Sequence, residues 1–300
     1  MSERSLEAAY EQCRRINAAH GRTYYLATHQ LPRGRRRHVW ALYAFARVAD
    51  QFVDDLERAD PEALVGWGDR ALQALRAPTP PHPLADPVIA ATWHTMRAYD
   101  LPLSLLEEFL ASMAMDLTVT RYATWADLRG YMRGSAAVIG ELMAPILGAT
   151  RPEAVAHAGT LGEAFQLTNF LRDVKEDLGL GRIYLPQDDL AAHGVTEDML
   201  AEAVAGAPVT SKLRALMAFE IARADALYEQ MRPGLAMVDA RARPCLDAAF
   251  TLYRGILRRI EAADYDVFTV RATVPQRQRL VTVGRVLATA AGRRVLPTPT

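Results

Sequence analysis

Cysteine is almost missing from this chain of 300 residues: only Cys13 and Cys245 occur. They form no Cys-x-x-Cys, and no histidine or cysteine stands at zinc spacing. A disulfide framework and a zinc centre are therefore excluded, and a reducing cytoplasm is the default. An excess of either charge is also missing. Lys+Arg and Asp+Glu number 35 each, so no global field draws nucleic acid or strongly acidic partners. A small anionic ligand must be met by local charge. No hydrophobic run is long enough to cross a bilayer; the most apolar stretch, 135–150, is interrupted by Glu141 and Pro145. The start, Met1 to Glu7, is polar and charged, unlike a secretory signal. The expectation is a cytoplasmic protein, with peripheral contact at the inner membrane face as its extension. Walker A, Gly-x-Ser-x-Gly, His-Glu-x-x-His and the Glu-x-x-His of di-iron bundles are all absent. Gly179-Leu180-Gly181 lacks a third glycine and follows a helical pattern, which rules out a dinucleotide fingerprint.

What is present is ordinary globular material, half of it hydrophobic and 23% charged. Strand-like alternation is nearly absent and helical periodicity dominates. Helices are expected over 3–19, 34–57, 61–76, 86–98, 103–116, 125–147, 151–179, 209–231, 240–263 and 276–291. Pro78, Pro80, Pro81, Pro83 and Pro87 mark one exposed connection, too early and too short for a domain boundary. No solenoid period or linker divides the chain. The reading is one all-α domain over residues 1–300, with its core at about 10–290.

Two segments about 120 residues apart carry the chemistry. Arg47-Val-Ala-Asp50-Gln-Phe-Val-Asp54 and Asn169-Phe-Leu-Arg172-Asp173-Val-Lys-Glu-Asp177 each place two aspartates four apart, with an arginine just upstream. On a helix such carboxylates stack on one face. Taken singly, each pair also fits an intrahelical ion pair or a solvated polar stripe. Together, on segments that are apolar nearly all round (41–53 and 161–174), they favour a cage of hard oxygen ligands for Mg²⁺ that would suit a diphosphate. Tyr24, Tyr25, Tyr43, Tyr131, Tyr184 and Tyr253 lie near these motifs. Each fits a core aromatic with a satisfied hydroxyl, and as a set they fit the wall of a cavity where a carbocation forms. The basic run Arg33, Arg35, Arg36 and Arg37 opens a helix and is expected to be a solvated face.

These residues resemble the squalene/phytoene synthase family, from about Tyr10 to about Val283. The most specific match is Gln166-Leu-Thr-Asn169-Phe-Leu-Arg172-Asp173-Val-x-Glu-Asp177, followed by Gly181-Arg182-Ile183-Tyr184-Leu185-Pro186. Leu42 to Asp54 resembles the first aspartate signature, Cys13 to Thr28 the N-terminal segment, and Tyr131 to Gly140 the tyrosine-containing segment. There are two departures. Gln51 stands where the family usually has a second adjacent aspartate, and Ser135-Ala136-Ala137 stands where Ala-Gly is expected.

The resemblance implies a helical bundle of the class I isoprenoid synthase type with a central apolar cavity. It implies metal ligation by Asp50, Asp54, Asn169, Asp173 and Asp177, and catalytic roles for Tyr43, Arg47, Tyr131 and the four aspartates. Substrate contacts are implied at His20, Gly21, Arg22, Thr23, Tyr43, Arg47, Gln166, Arg172, Arg182, Tyr184, Tyr253 and Arg271. The activity implied is the head-to-head (1′–1) condensation of prenyl diphosphates, with Mg²⁺ or Mn²⁺ and without NADPH. The wording is most similar to bacterial phytoene synthases, joining two C20 units. The alternatives are a C30 synthase acting on farnesyl diphosphate and a non-catalytic relative serving assembly or binding. The oligomeric state is not legible.

Overall fold

The computed structural model describes residues 3–54, 61–83, 85–149, 151–269, 271 and 272; at 22–24, 54 and 61 the description is limited to the backbone. Fourteen α-helices are described: α1 (Glu3–His20), α2 (Arg22–Thr28), α3 (Arg33–Asp54), α4 (Pro61–Arg76), α5 (Pro87–Ala98), α6 (Leu103–Met115), α7 (Trp125–Met132), α8 (Val138–Ile146), α9 (Pro152–Arg172), α10 (Val174–Gly179), α11 (Gln187–Ala192), α12 (Glu197–Val204), α13 (Ser211–Met231) and α14 (Arg243–Ala262). Among the described residues there is no strand beyond a single bridge between Arg121 and Ile183. Local chemistry sets several of the starts. Asp86 caps α5 through Ile89 N at 2.9 Å, ahead of Pro87. Thr124 and Asp127 form a reciprocal capping box on α7.

The expected helices differ from these in specific places. The run 125–147 is three pieces, because Arg133–Ala137 winds as one π-helical turn between α7 and α8. Such turns recur at functional sites. The run 151–179 breaks at Asp173, whose φ of −104° and ψ of 15° leave the helix between α9 and α10. Aspartate is a poor interior helix former, and here its carboxylate is held by Arg172 and Arg271. The pair Asp173/Asp177 therefore spans a helix junction, bridged by Asp177 N to Asp173 O at 2.8 Å. The short helices α2, α11 and α12 fell below what periodicity detects. The expected helix 276–291 lies outside the described residues.

Apolar packing falls into two main clusters. One is built from α7, α9–α13 and most of α14; the other from α1, α3–α6 and α8, with Phe165 packed against both. Within the second, α3 buries Ala41, Leu42, Ala44, Phe45, Ala49 and Val53. The central helices approach closely where side chains are smallest. A Cβ on Gly140 would lie 2.0 Å from the Ala158 carbonyl oxygen, and one on Gly162 would lie 2.3 Å from that of Ala136. In the basic run at 33–37 Arg33 is exposed, as a solvated face would have it, but the other three arginines are half-buried and tied down. Arg35 pairs with Asp239 at 2.8 Å, Arg36 donates to the Leu31 carbonyl at 2.8 Å, and Arg37 lies over the Tyr10 ring. These ties compensate positive charge at a helix start.

Candidate active site

A cavity of about 850 Å³ lies between the two main clusters. Its wall contains His20 and Gly21 from the α1–α2 junction, and Tyr43, Arg47 and Asp50 from α3. Tyr131 comes from α7, Gln166, Asn169 and Arg172 from α9, and Asp173 from the junction with α10. Asp177, Arg182, Tyr184, Tyr253 of α14 and Arg271 complete the set. The two aspartate segments thus open into one space. Residues singled out from the sequence that lie outside the described side chains are Arg22, Thr23, Tyr24 and Asp54. Tyr25 is not part of this wall; its hydroxyl accepts from Arg14 at 2.8 Å and its ring packs on His29 and Trp40. Gln51 is exposed and is likewise absent from the wall, so that departure falls away from the cavity.

The loop after α10 explains how Arg182 and Tyr184 reach inward. Gly181 at φ +71° turns the chain, a conformation glycine adopts without strain. Ile183 N then bonds Thr120 O at 3.0 Å, and Arg121 holds Gly181 O at 2.7 Å. Arg182 is 5% exposed and donates to the carbonyls of Val53 and Asp116 at 2.9 and 3.1 Å.

The carboxylates are in unequal states. Arg47 Nη1 lies 4.0 Å from Asp50 Oδ2, so the intrahelical pair exists, but as a loose contact inside the cavity. Burial pushes Asp173 upward, yet hydrogen bonds from Arg172 and Arg271, both at 2.7 Å to Oδ1, outweigh it and hold the group below its ordinary value. Burial and the adjacent Asp173 charge raise Asp177 to about 8. Tyr43 and Tyr184 are pushed up chiefly by burial.

Aromatic faces line the same space. Tyr184 stacks on Phe170 with ring centroids 3.9 Å apart, and Tyr253 stacks on Phe165 at 4.3 Å. Hydrocarbon groups of Leu161, Ile139, Met143, Leu246 and Ile256 continue the wall. The arrangement offers charge and hard oxygens at one part, and apolar and aromatic surface elsewhere.

Mg²⁺ fits these residues. The donors are carboxylate and amide oxygens, Asn169 Oδ1 is buried without a hydrogen-bond partner, and Asp177 is short of positive charge. Among the described residues no three His, Cys, Asp or Glu side chains form a ready metal nest. The remaining ligands would come from substrate phosphate and water, as Mg²⁺ commonly takes them.

Two lining residues escaped the sequence reading. Asp116 is a lone aspartate after the apolar α6, with no partner at helical spacing to flag it, and it accepts the Tyr131 hydroxyl at 2.7 Å. Asn17 is fully buried, and neither atom of its side-chain amide has a partner.

The squalene/phytoene synthase profile matches residues 17–278. The chain belongs to the squalene/phytoene synthase family. It is 36% identical to a 15-cis-phytoene synthase of Synechococcus elongatus over 92% of this chain and 91% of that one. A chloroplastic phytoene synthase of Daucus carota is 35% identical over 93% of this chain and 70% of its own length. Among solved structures, a dehydrosqualene synthase in complex with ligand superposes with a TM-score of 0.87 at 27% identity, covering 96% of this chain and 99% of that one. A squalene synthase from Alicyclobacillus acidocaldarius gives 0.77 at 28% identity, covering 88% and 97%. The all-α fold is that of the class I isoprenoid synthases, and the protein is an enzyme, a prenyltransferase.

Proposed function

We propose that this protein condenses two molecules of geranylgeranyl diphosphate head-to-head to phytoene, through a cyclopropyl diphosphate intermediate. The observation that carries the reading is the cavity in which both aspartate segments, four arginines and an aromatic, apolar wall meet. Asp50, Asp54, Asn169, Asp173 and Asp177 would hold Mg²⁺, which supplies neutralising charge to the departing diphosphate. Arg47, Arg172 and Arg182 offer charge-assisted hydrogen bonds to phosphate oxygens, supplemented by His20 to Thr23 at the α1–α2 junction.

Loss of diphosphate leaves an allylic cation. The double bond of the second substrate attacks it, and proton loss closes the cyclopropane. A second ionisation, rearrangement and proton loss then give the hydrocarbon. The stacked faces of Tyr184 and Phe170, and of Tyr253 and Phe165, stabilise positive charge electrostatically. Apolar side chains keep water from capturing the cations as alcohols. No step consumes a reductant, so NADPH has no part. A C40 hydrocarbon partitions into lipid, and release at a membrane face follows from that chemistry; among the described residues no helix is long and apolar enough to cross a membrane.

The second reading is a C30 synthase acting on farnesyl diphosphate, favoured by the superposition on a dehydrosqualene synthase. A non-catalytic role has less support, because Asp50, Asp173 and Asp177 all face the cavity. Purified protein given Mg²⁺ and either diphosphate should release pyrophosphate and, with the C20 substrate, form a C40 hydrocarbon by mass spectrometry of the organic extract. A C30 product alone would overturn the C40 assignment, and no turnover of either substrate would overturn the enzymatic one.

A further inference from the structure

Arg182 reaches the cavity on the stretch of chain between α10 and α11, which has little support of its own. The helix that ends it, α11, holds six residues, and the Pro186 before it gives no side-chain cap. So short a helix does not stand alone in water. The stretch is instead laid along residues 120–123. Ile183 N bonds Thr120 O at 3.0 Å, Gln187 N bonds Tyr122 O at 2.9 Å, and Asp188 N bonds Ala123 O at 3.0 Å. The two segments then part, one into α7 at Trp125 and the other into α11. Arg223 of α13 stands at that parting. Its Nη1 and Nη2 donate to Oδ2 and Oδ1 of Asp189 at 2.7 and 3.2 Å, and its guanidinium carbon lies 4.6 Å from the centre of the Trp125 ring. Glu220 accepts from Nη1 at 2.7 Å, and the Phe219 ring lies at 4.7 Å. A planar guanidinium held by two carboxylates and two rings is pre-organised for its bidentate partner.

We propose that Arg223 and Asp189 are positioning residues for the condensation: they clamp the two paired segments together where they part, and so set where Arg182 stands. This rests on the condensation reading above and extends it to a pair that lies outside the cavity wall. The route from clamp to site is short. Arg182 Nη2 bridges two backbone carbonyls, that of Val53 at the end of α3 at 2.9 Å and that of Asp116 at 3.1 Å. The Arg182 N–H bonds Asp177 O at 2.8 Å. A shift of this stretch therefore moves a guanidinium assigned to phosphate and loosens the tie between the two aspartate segments at once. Without the clamp, the paired segments open from the α7–α11 end, as an unsecured ladder frays.

The test uses Asp189→Ala and Asp189→Asn, each alone and combined with Arg182→Ala. Asp189 is the better partner to remove, because Glu220 still pairs with Arg223 afterwards and no buried cation is stranded. Two quantities are read: kcat/KM with geranylgeranyl diphosphate and Mg²⁺, and Kd for inorganic pyrophosphate with Mg²⁺ by titration calorimetry. Misplacement by about 1 Å costs up to about 10²-fold in rate. Asp189→Ala should therefore lower kcat/KM by about 10–10²-fold and weaken pyrophosphate by about tenfold, with the helical dichroism kept. Asp189→Asn, which retains one acceptor for Arg223, should lose less. In the Arg182→Ala background the further loss from Asp189→Ala should shrink to less than about threefold in both quantities, because the group it positions is gone. If Asp189→Ala does not fold, Asp189→Asn carries the same cycle. Losses that multiply in the double variant would make the pair an independent structural tie and overturn the proposal. Unchanged kcat/KM and Kd beside a lowered unfolding midpoint would overturn it as well. A wild type that turns over no prenyl diphosphate would remove the condensation reading, and the pyrophosphate cycle would then decide the placement of Arg182 by itself. A wild type that also binds no pyrophosphate would overturn both.

Discussion

Replacing Gly162 by alanine sets two effects of opposite sign against each other. Gly162 lies inside α9, where alanine is the better helix former by about 0.8–1.0 kcal/mol. Its added Cβ, however, would sit 2.3 Å from the Ala136 oxygen, 2.9 Å from the Ala136 carbon and 3.2 Å from Ala137 Cα. All three are backbone atoms, so no side chain can rotate out of the way. The π-helical turn and α9 must separate by several tenths of an ångström or more. Overpacking of this kind costs about 1–3 kcal/mol, and a backbone obstacle puts it in the upper part of that range. The steric cost wins, leaving a net loss of about 1–2 kcal/mol. Gly130 in α7 supplies the control, because it is exposed and a Cβ there meets nothing within 4 Å. Gly130→Ala should gain up to about 1 kcal/mol from propensity alone. Denaturant unfolding followed by far-ultraviolet circular dichroism reads both variants. Gly162→Ala as stable as wild type, or moved in the same direction as Gly130→Ala, would refute the close helix contact. Because Gly162 and Ala136 also line the cavity, turnover should fall in Gly162→Ala and stay at the wild-type level in Gly130→Ala.

The other expectations concern the charges and the orphaned amide. Asp50→Ala and Asp173→Ala should each lower turnover by about 10²-fold or more with the helical dichroism kept, and a fully active variant at either position would remove its assigned role. Glu220 is fully buried, and burial raises it to about 7 although Arg223, shared with Asp189, lies at 2.7 Å. The folded state then holds a proton that the unfolded state has lost between the ordinary 4.5 and about 7. Stability from this group is complete below the lower value and is lost as pH rises through the upper one. Glu220→Gln should flatten that slope, by an amount on the order of 3 kcal/mol at most; parallel stability curves for the two proteins from about pH 5 to pH 8 would contradict it. Asn17→Leu should stabilise the ligand-free protein by about 1–3 kcal/mol, since it removes a buried amide with no partner; a lower unfolding midpoint would show that the amide is satisfied in solution.

The helical content and the site differed in how legible they were. Long amphipathic segments such as 61–76 showed their limits directly, because every turn contributed to one apolar face. Short helices such as Gln187–Ala192 hold fewer than two turns, too few for periodicity to register. The breaks at Arg133–Ala137 and Asp173 were illegible for a different reason. Each depends on what packs beside it: α9 against Ala136 in one case, Arg172 and Arg271 against a carboxylate in the other. Paired aspartates could be found because spacing within one segment encodes them. Asp116 could not, since its partners Tyr131 and Tyr184 are 15 and 68 positions away and only the fold brings them together.

The cavity holds several groups that ordinary stability rules disfavour. Asp177 is raised by burial and by Asp173, and Asn169 Oδ1 and the Asn17 amide lack partners. Each is costly in a ligand-free protein. Elsewhere the buried charges are matched: Arg223 binds both Asp189 and Glu220, and Arg129 binds Glu163 at 3.0 Å. An amide oxygen without a partner beside a carboxylate raised by its neighbour is the pattern of a site whose partner arrives with the ligand. Under the function proposed above, a cation with hard-oxygen preference would be that partner for Asp177 and Asn169.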